Sequence, residues 1–116
     1  MRIVQKPWGH EEIWAETPRY VGKYLHINAG HRLSRQYHEK KEETIRVLSG
    51  NLHLEVGSEA TRNLTILKLG TGEIFHVTPG TIHRFCAIEE NVVLVEVSTP
   101  ELDDVVRLQD DYTNLR

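Results

Sequence analysis

With one cysteine among its 116 residues, Cys86, the chain has no internal disulfide. No base lies beside that cysteine in the sequence, so a small buried thiol is its expected role. Nor is there an apolar run long enough for a membrane-spanning helix or the core of a signal peptide, which makes the cytoplasm the expected compartment. An excess of positive charge is missing too. Fourteen basic against seventeen acidic side chains give a formal charge of -3, so no general attraction to nucleic acid or to an anionic membrane is expected. Linkers, low-complexity tracts and repeats are absent, and the length suits one domain, without room for a separate cofactor domain. What is present, 39% hydrophobic and 27% charged residues, suits a single packed core.

Glycine and proline recur at spacings suited to turns between short strands, an all-β pattern. Residues 20–28 alternate, with Lys23, Leu25 and Ile27 on one face and Tyr24, His26 and Asn28 on the other. Residues 43–48 put Glu43, Ile45 and Val47 together, and Ser49-Gly50-Asn51 signals a hairpin before Leu52, Leu54 and Val56. Further strands are expected over 64–69, 74–77, 82–88 and 92–98, seven or eight in all. Thr99-Pro100-Glu101 reads as a helix start, with a short turn through Val106. The expected architecture is a single-domain sandwich or jelly-roll β-barrel over residues 20–98. Residues 1–19 are expected to form an N-terminal arm, and residues 99–116 a short C-terminal tail. The arm, with Trp8, Ile13 and Trp14, is expected to pack on the barrel or on a second subunit.

The densest chemistry lies between Gly30 and Gly50, in GHRLSRQYHEKKEETIRVLSG. Gln36 and His38, two apart, share a face of an extended segment, and Glu43 lies on the apolar face of the next strand. In GEIFHVTPGTIHRF, His83 follows a Pro-Gly turn and shares its face with Phe85 and Ala87. Oxygen and nitrogen donors without a thiolate suit zinc, iron, manganese, cobalt or nickel rather than copper(I) or an iron–sulfur cluster. Lys23 and Glu96 stand out as ionisable groups on apolar faces, costly unless paired; a salt bridge and a catalytic role are both open to them.

These stretches resemble the two cupin motifs, G-x5-H-x-H-x3,4-E-x6-G and G-x5-P-x-G-x2-H-x3-N. Gly30, His38, Glu43 and Gly50 fit the first; Gly72, Gly80 and His83 fit the second. Gln36 stands where the first motif has histidine, Thr78 where the second has proline, and Ala87 where it has asparagine. Only Gln36 bears on metal binding. LSRQYHEKKEET, together with KPWG, HVTPGTIHRF and EVSTPELDDVVRLQDDY, is similar to the cupin portion of type II mannose-6-phosphate isomerases, here as a free-standing version. That portion usually follows a nucleotidyltransferase domain.

The resemblance implies a metal-dependent aldose–ketose isomerase acting on mannose 6-phosphate and fructose 6-phosphate, or on a related sugar phosphate, through an enediolate. Related isomerases use a Gln, His, Glu, His set, so Gln36, His38, Glu43 and His83 are expected to hold one divalent metal. Zinc is expected first, then manganese, iron, cobalt or nickel. Lys23 and Glu96 are the candidates for the catalytic base. Arg35, Arg84 and Arg107 are candidates for the phosphate, as are Lys40 and Lys41, which are more often plain surface charges. Resemblance to cupins also implies a homodimer.

Of the remaining histidines, His10, His31 and His53 are read as ordinary polar residues, and His26 and His76 stay off the ligand set. Counting back from Gly50 favours Glu43 over Glu42. The acid pairs Asp103-Asp104 and Asp110-Asp111 are read as capping or solvating the tail. Two other functions stay open: a sugar-binding or regulatory cupin that keeps its metal without catalysis, and an iron oxygenase, against which Gln36 argues.

Overall fold

A computed structural model describes residues 1–58 and 63–112. All regular elements among these residues are strands: β1 (Arg2–Lys6), β2 (Gly9–Glu16), β3 (Val21–Ile27), β4 (His31–Arg32), β5 (Arg35–Tyr37), β6 (Glu43–Ser49), β7 (Leu52–Gly57), β8 (Thr65–Leu69), β9 (Ile74–Val77), β10 (Ile82–Ala87), β11 (Val92–Ser98) and β12 (Val106–Gln109). They form two antiparallel sheets. One runs β1-β2-β3-β11-β6-β9, the other β12-β5-β10-β7-β8, with β4 joined to β10. This is the expected all-β jelly roll. No helix among the described residues is long and apolar enough to cross a membrane.

Within residues 1–19, β1 and β2 extend the first sheet, with β2 paired along β3 from Gly9↔Ile27 to Glu16↔Val21. One expectation needs correction: the helix expected after Thr99 is absent among the described residues. Bonds from the Leu102 N–H to the Pro100 carbonyl, Asp104 to Glu101 and Val105 to Asp103 make tight turns that never propagate. The chain then pairs as β12 with β5. Val106–Gln109 thus borders the second sheet.

Alternation along the strands sorts side chains to the two faces, and the inward faces share a direction. Read two residues at a time, β3 gives Ile27, Leu25, Lys23; β11 gives Leu94 then Glu96; β6 gives Val47, Ile45, Glu43; and β10 gives Ala87, Phe85, His83. Register keeps these steps level, since Leu94 pairs with Leu25 and Glu96 with Lys23. One end of the sandwich is therefore a dry core of Leu25, Ile27, Ile45, Val47, Leu52, Leu54, Phe85, Val92 and Leu94. The other end has charged and polar groups facing inward. Gly50 closes the β6–β7 hairpin at φ +83°, where an added Cβ would meet the Asn91 carbonyl oxygen at 2.3 Å.

Each fully buried aliphatic side chain contributes roughly 1.5–3 kcal/mol of transfer free energy. Leu94 is fully buried and Val97, three residues on, is 50% exposed. Leu94→Ala is predicted to destabilise the protein by about 2–5 kcal/mol and Val97→Ala by roughly 0.5 kcal/mol or less in urea unfolding. Equal losses would contradict this assignment of faces.

Candidate metal centre

Three acceptor atoms meet at the polar end of the sandwich. Glu43 Oε1 lies 3.2 Å from His83 Nε2 and 3.7 Å from His38 Nε2, and one ligand atom from each residue falls within 4.8 Å of the others. None of the three is more than 4% exposed. Both rings are held from behind. His38 Nδ1 donates to the Asp104 carbonyl at 2.6 Å and His83 Nδ1 to the Thr81 carbonyl at 2.9 Å. A carbonyl only accepts, so the protons of the neutral rings sit on Nδ1 and the Nε2 lone pairs point toward Glu43. Three lone pairs converging in a buried place repel one another unless a positive charge lies among them. The donor chemistry therefore fits a divalent cation with nitrogen and oxygen ligands.

Gln36 is the direct cross-strand partner of His83 on β5 and β10, and it lines the same cavity. Its amide nitrogen donates to Ser34 Oγ at 2.9 Å and to the Ser34 carbonyl at 3.3 Å, which leaves the amide oxygen as the free end. His38 owes its place to Asp104, whose carboxylate accepts the N–H groups of Glu39, Lys40 and Lys41 at 3.0, 2.6 and 2.8 Å. These three donors hold the Asp104 carboxyl down to about 2. Asp104, read with Asp103 as capping or solvating the tail, thus organises the turn between β5 and β6. Glu42 points outward to His76, away from the centre.

Next to the centre runs a chain of buried charge. Lys41 Nζ lies 3.2 Å from Glu43 and 3.3 Å from Glu96; Lys23 Nζ lies 3.7 Å from Glu96 and 3.1 Å from Glu11. Lys23 and Glu96 therefore do form the salt bridge that was one of their two readings, within a network of five groups. Lys41, read as a surface charge, is buried here. Burial works to lower the Lys41 pKa, but Glu96 and Glu43 outweigh it and hold the ammonium above its usual range. Burial also works to raise Glu43, yet the Lys41 charge, and hydrogen bonds from His38 and His83 whenever their rings are protonated on both nitrogens, leave it well below the ordinary carboxylate range. For Glu96 burial wins, aided by the nearby Glu43 charge, and its carboxyl is pushed up to about 7.

A cavity of about 870 Å³ opens over these groups, a size suited to a small metabolite. Of the arginines considered for the phosphate, only Arg107 lines it. Arg35 and Arg84 project from the opposite face of their strands, since Gln36, His83 and Phe85 take the inward positions. Arg35 holds Glu55 at 2.8 and 3.0 Å and Gln109 at 2.9 Å. Arg84, 1% exposed, donates to the Leu33 carbonyl at 2.7 Å and to Asp111 at 2.9 Å. Both are structural clamps for the last strand and the residues after it. Lys6 also lines the cavity, and among the described residues neither Lys6 nor Arg107 has an ion-pair partner. Lys6 is not legible from the sequence because apolar alternation is blank over β1, where Arg2 and Lys6 flank Val4 on the face toward the cavity.

A jelly roll that gathers two histidines and a glutamate at one end of its cavity defines a cupin, and the chain belongs to that family: residues 23–98 match the Cupin domain. No curated protein matches the sequence. Among solved structures, the chain is similar to KdgF from Halomonas sp., at 20% identity over 89% of this chain and 91% of that one, TM-score 0.74. It is also similar to the capsular polysaccharide assembling protein CapF from Staphylococcus aureus, at 16% identity over 93% of this chain and 34% of that one, TM-score 0.83. Oxalate decarboxylase from Bacillus subtilis gives 16% identity over 92% of this chain and 30% of that one, TM-score 0.80. At these identities the likeness is one of fold, which hosts many activities.

Asp111 ties Arg32 and Arg84 to the C-terminal segment, and the Arg32 hydrogen bond, first among its neighbours, holds its carboxyl below the usual value. A depressed carboxylate stabilises the fold above the unfolded pKa near 3.8 and loses that contribution as pH falls through the lower folded value. Asp111→Asn is predicted to cost about 1–3 kcal/mol at neutral pH and to flatten the loss of stability below about pH 4. Parallel acid limbs for both proteins in pH-dependent thermal melts would refute that role.

Proposed function

We propose that this cupin is a metal-dependent aldose–ketose isomerase acting on mannose 6-phosphate and fructose 6-phosphate, or a closely related sugar phosphate. Gln36, His38, Glu43 and His83 are the residues that would hold one divalent metal, zinc first among the candidates. The observation that carries the proposal is the convergence of His38, Glu43 and His83 lone pairs beside a buried Lys23–Glu96–Lys41 chain. A divalent metal bound there supplies a Lewis acid for the carbonyl and hydroxyl oxygens of an open-chain sugar.

The side chains do the rest. Glu96 is the group we assign to move the proton between C1 and C2 through an enediolate, and Lys23 and Lys41 on either side of it balance its charge during transfer. Lys23 remains the alternative base, because its contact with Glu96 lets either group carry the proton. Lys6 and Arg107, without carboxylate partners among the described residues, suit the phosphate of the substrate. The apolar wall of Leu25, Leu33, Phe85 and Trp8 limits water around the intermediate. The second reading, a sugar-binding cupin without catalysis, is favoured by the same salt bridges, which would lock Glu96 and both lysines in place.

Purified protein is expected to carry about one divalent metal per chain and to interconvert the two hexose phosphates. Glu96→Gln is predicted to lower kcat by roughly 100- to 10,000-fold with metal retained, and Arg107→Ala to raise KM chiefly. Metal bound with no turnover of any hexose phosphate would favour the binding protein. Full activity in Glu96→Gln would remove Glu96 as the base and leave Lys23.

A cytoplasmic homodimer belongs to the same proposal. Trp14, 46% exposed on the outer face of the first sheet, suits contact with a second copy. Light scattering is expected to give the mass of two chains, and the mass of one would refute it.

A further inference from the structure

On the outer face of the first sheet stands a second group of the same composition as the inner centre. His10 on β2 and His26 on β3 are direct cross-strand partners, and Glu12, two residues beyond His10, projects to the same side. The two rings lie parallel, with centroids 4.3 Å apart and planes 9° from each other. Glu12 Oε1 is 3.7 Å from His10 Nε2 and 3.6 Å from His26 Nε2. One ligand atom from each residue lies within 4.8 Å of the others. The inward positions of these strands belong to Glu11, Ile13, Leu25 and Ile27, so the thickness of the sheet separates this group from the cavity.

We propose that His10, Glu12 and His26 form a second, solvent-facing site for a divalent first-row transition metal. Ligands bonded to one ion at about 2.0–2.2 Å lie roughly 3.4 Å apart in a tetrahedron, so small side-chain rotations close the observed spacings onto a common centre. Two imidazoles and a carboxylate favour zinc, cobalt, nickel or copper(II) over magnesium or calcium. The side chains are 32%, 27% and 32% exposed, open enough for an ion to enter and for water to fill the remaining position. Among the described residues no lysine or arginine pairs with Glu12, so its charge faces only the two imidazoles. Among the described residues no hydrogen bond fixes either ring from behind, in contrast to His38 and His83, and the outer site is accordingly the weaker. A bound ion would bridge β2 and β3 next to the bulge between Ile13 and Ala15.

Cobalt(II) titration of the metal-free protein, followed by visible absorption and bound metal, tests this. The native chain is expected to take two equivalents, the second about tenfold weaker or more. His26→Ala and the shape-preserving Glu12→Gln each remove the weaker equivalent only; His38→Ala/His83→Ala removes the tighter one only; His76→Ala removes neither. Should the inner centre bind no cobalt, the native chain takes one equivalent, still lost in His26→Ala and Glu12→Gln, and the outer site stands while the isomerase reading falls. Binding unchanged in both His26→Ala and Glu12→Gln overturns the proposal, as does loss of the weaker equivalent in His76→Ala.

Discussion

The Nε2 atoms of His38 and His83 and the Oε1 atom of Glu43 face one another in a place almost closed to water, and each is an acceptor when the rings are neutral. Mutual repulsion of three lone pairs is tolerable only if something positive joins them. Several parts of the fold serve to hold that arrangement. The Asp104 and Thr81 carbonyls fix the two ring tautomers, the Asp104 carboxylate shapes the turn that delivers His38, and Lys41 balances Glu43 from the side. A cupin keeps such groups in position because they project from strands whose own register is set by the dry half of the sandwich.

That division into a dry and a charged half explains how so small a chain can bury so many ionisable groups. Glu96 and Lys23 are direct cross-strand partners and Lys41 reaches in from the turn before β6, so each of the carboxylates Glu43 and Glu96 finds an ammonium within 4 Å. Burying any one alone would cost several kcal/mol, by an order-of-magnitude reckoning. The energetic expense is met by the aliphatic end, where Leu25, Ile45, Val47, Leu94 and their neighbours are sealed. A site that is costly to build but fully cross-paired is typical of places where chemistry or binding is done.

Much of this is legible in the sequence. Strands β9 and β11 fall where alternation put them, and β3, β6, β7, β8 and β10 lie within a residue or so at their ends. His38, Glu43 and His83 converge because turn glycines and motif spacing encode both position and direction. The misses have physical causes. β1, β2 and β12 carry charged residues at inward positions, as with Arg2, Lys6, Glu11 and Arg107, because they border a polar cavity and not the core; apolar alternation is blank there. Arg35 and Arg84 matched the chemistry of a phosphate clamp, but parity with Gln36 and His83 puts them on the far face. Lys41 could not be told from Lys40 by composition; only the turn ordered by Asp104 sends one inward and the other outward.

The central claim is that a cation belongs among His38, Glu43 and His83. Anomalous diffraction at the zinc edge, from crystals of protein loaded with one equivalent of zinc, tests it most directly. The account predicts a single strong peak within about 2.0–2.2 Å of both Nε2 atoms and a Glu43 oxygen, with Gln36 turned toward it. No peak there, with doubly protonated rings donating to Glu43 in its place, would contradict it.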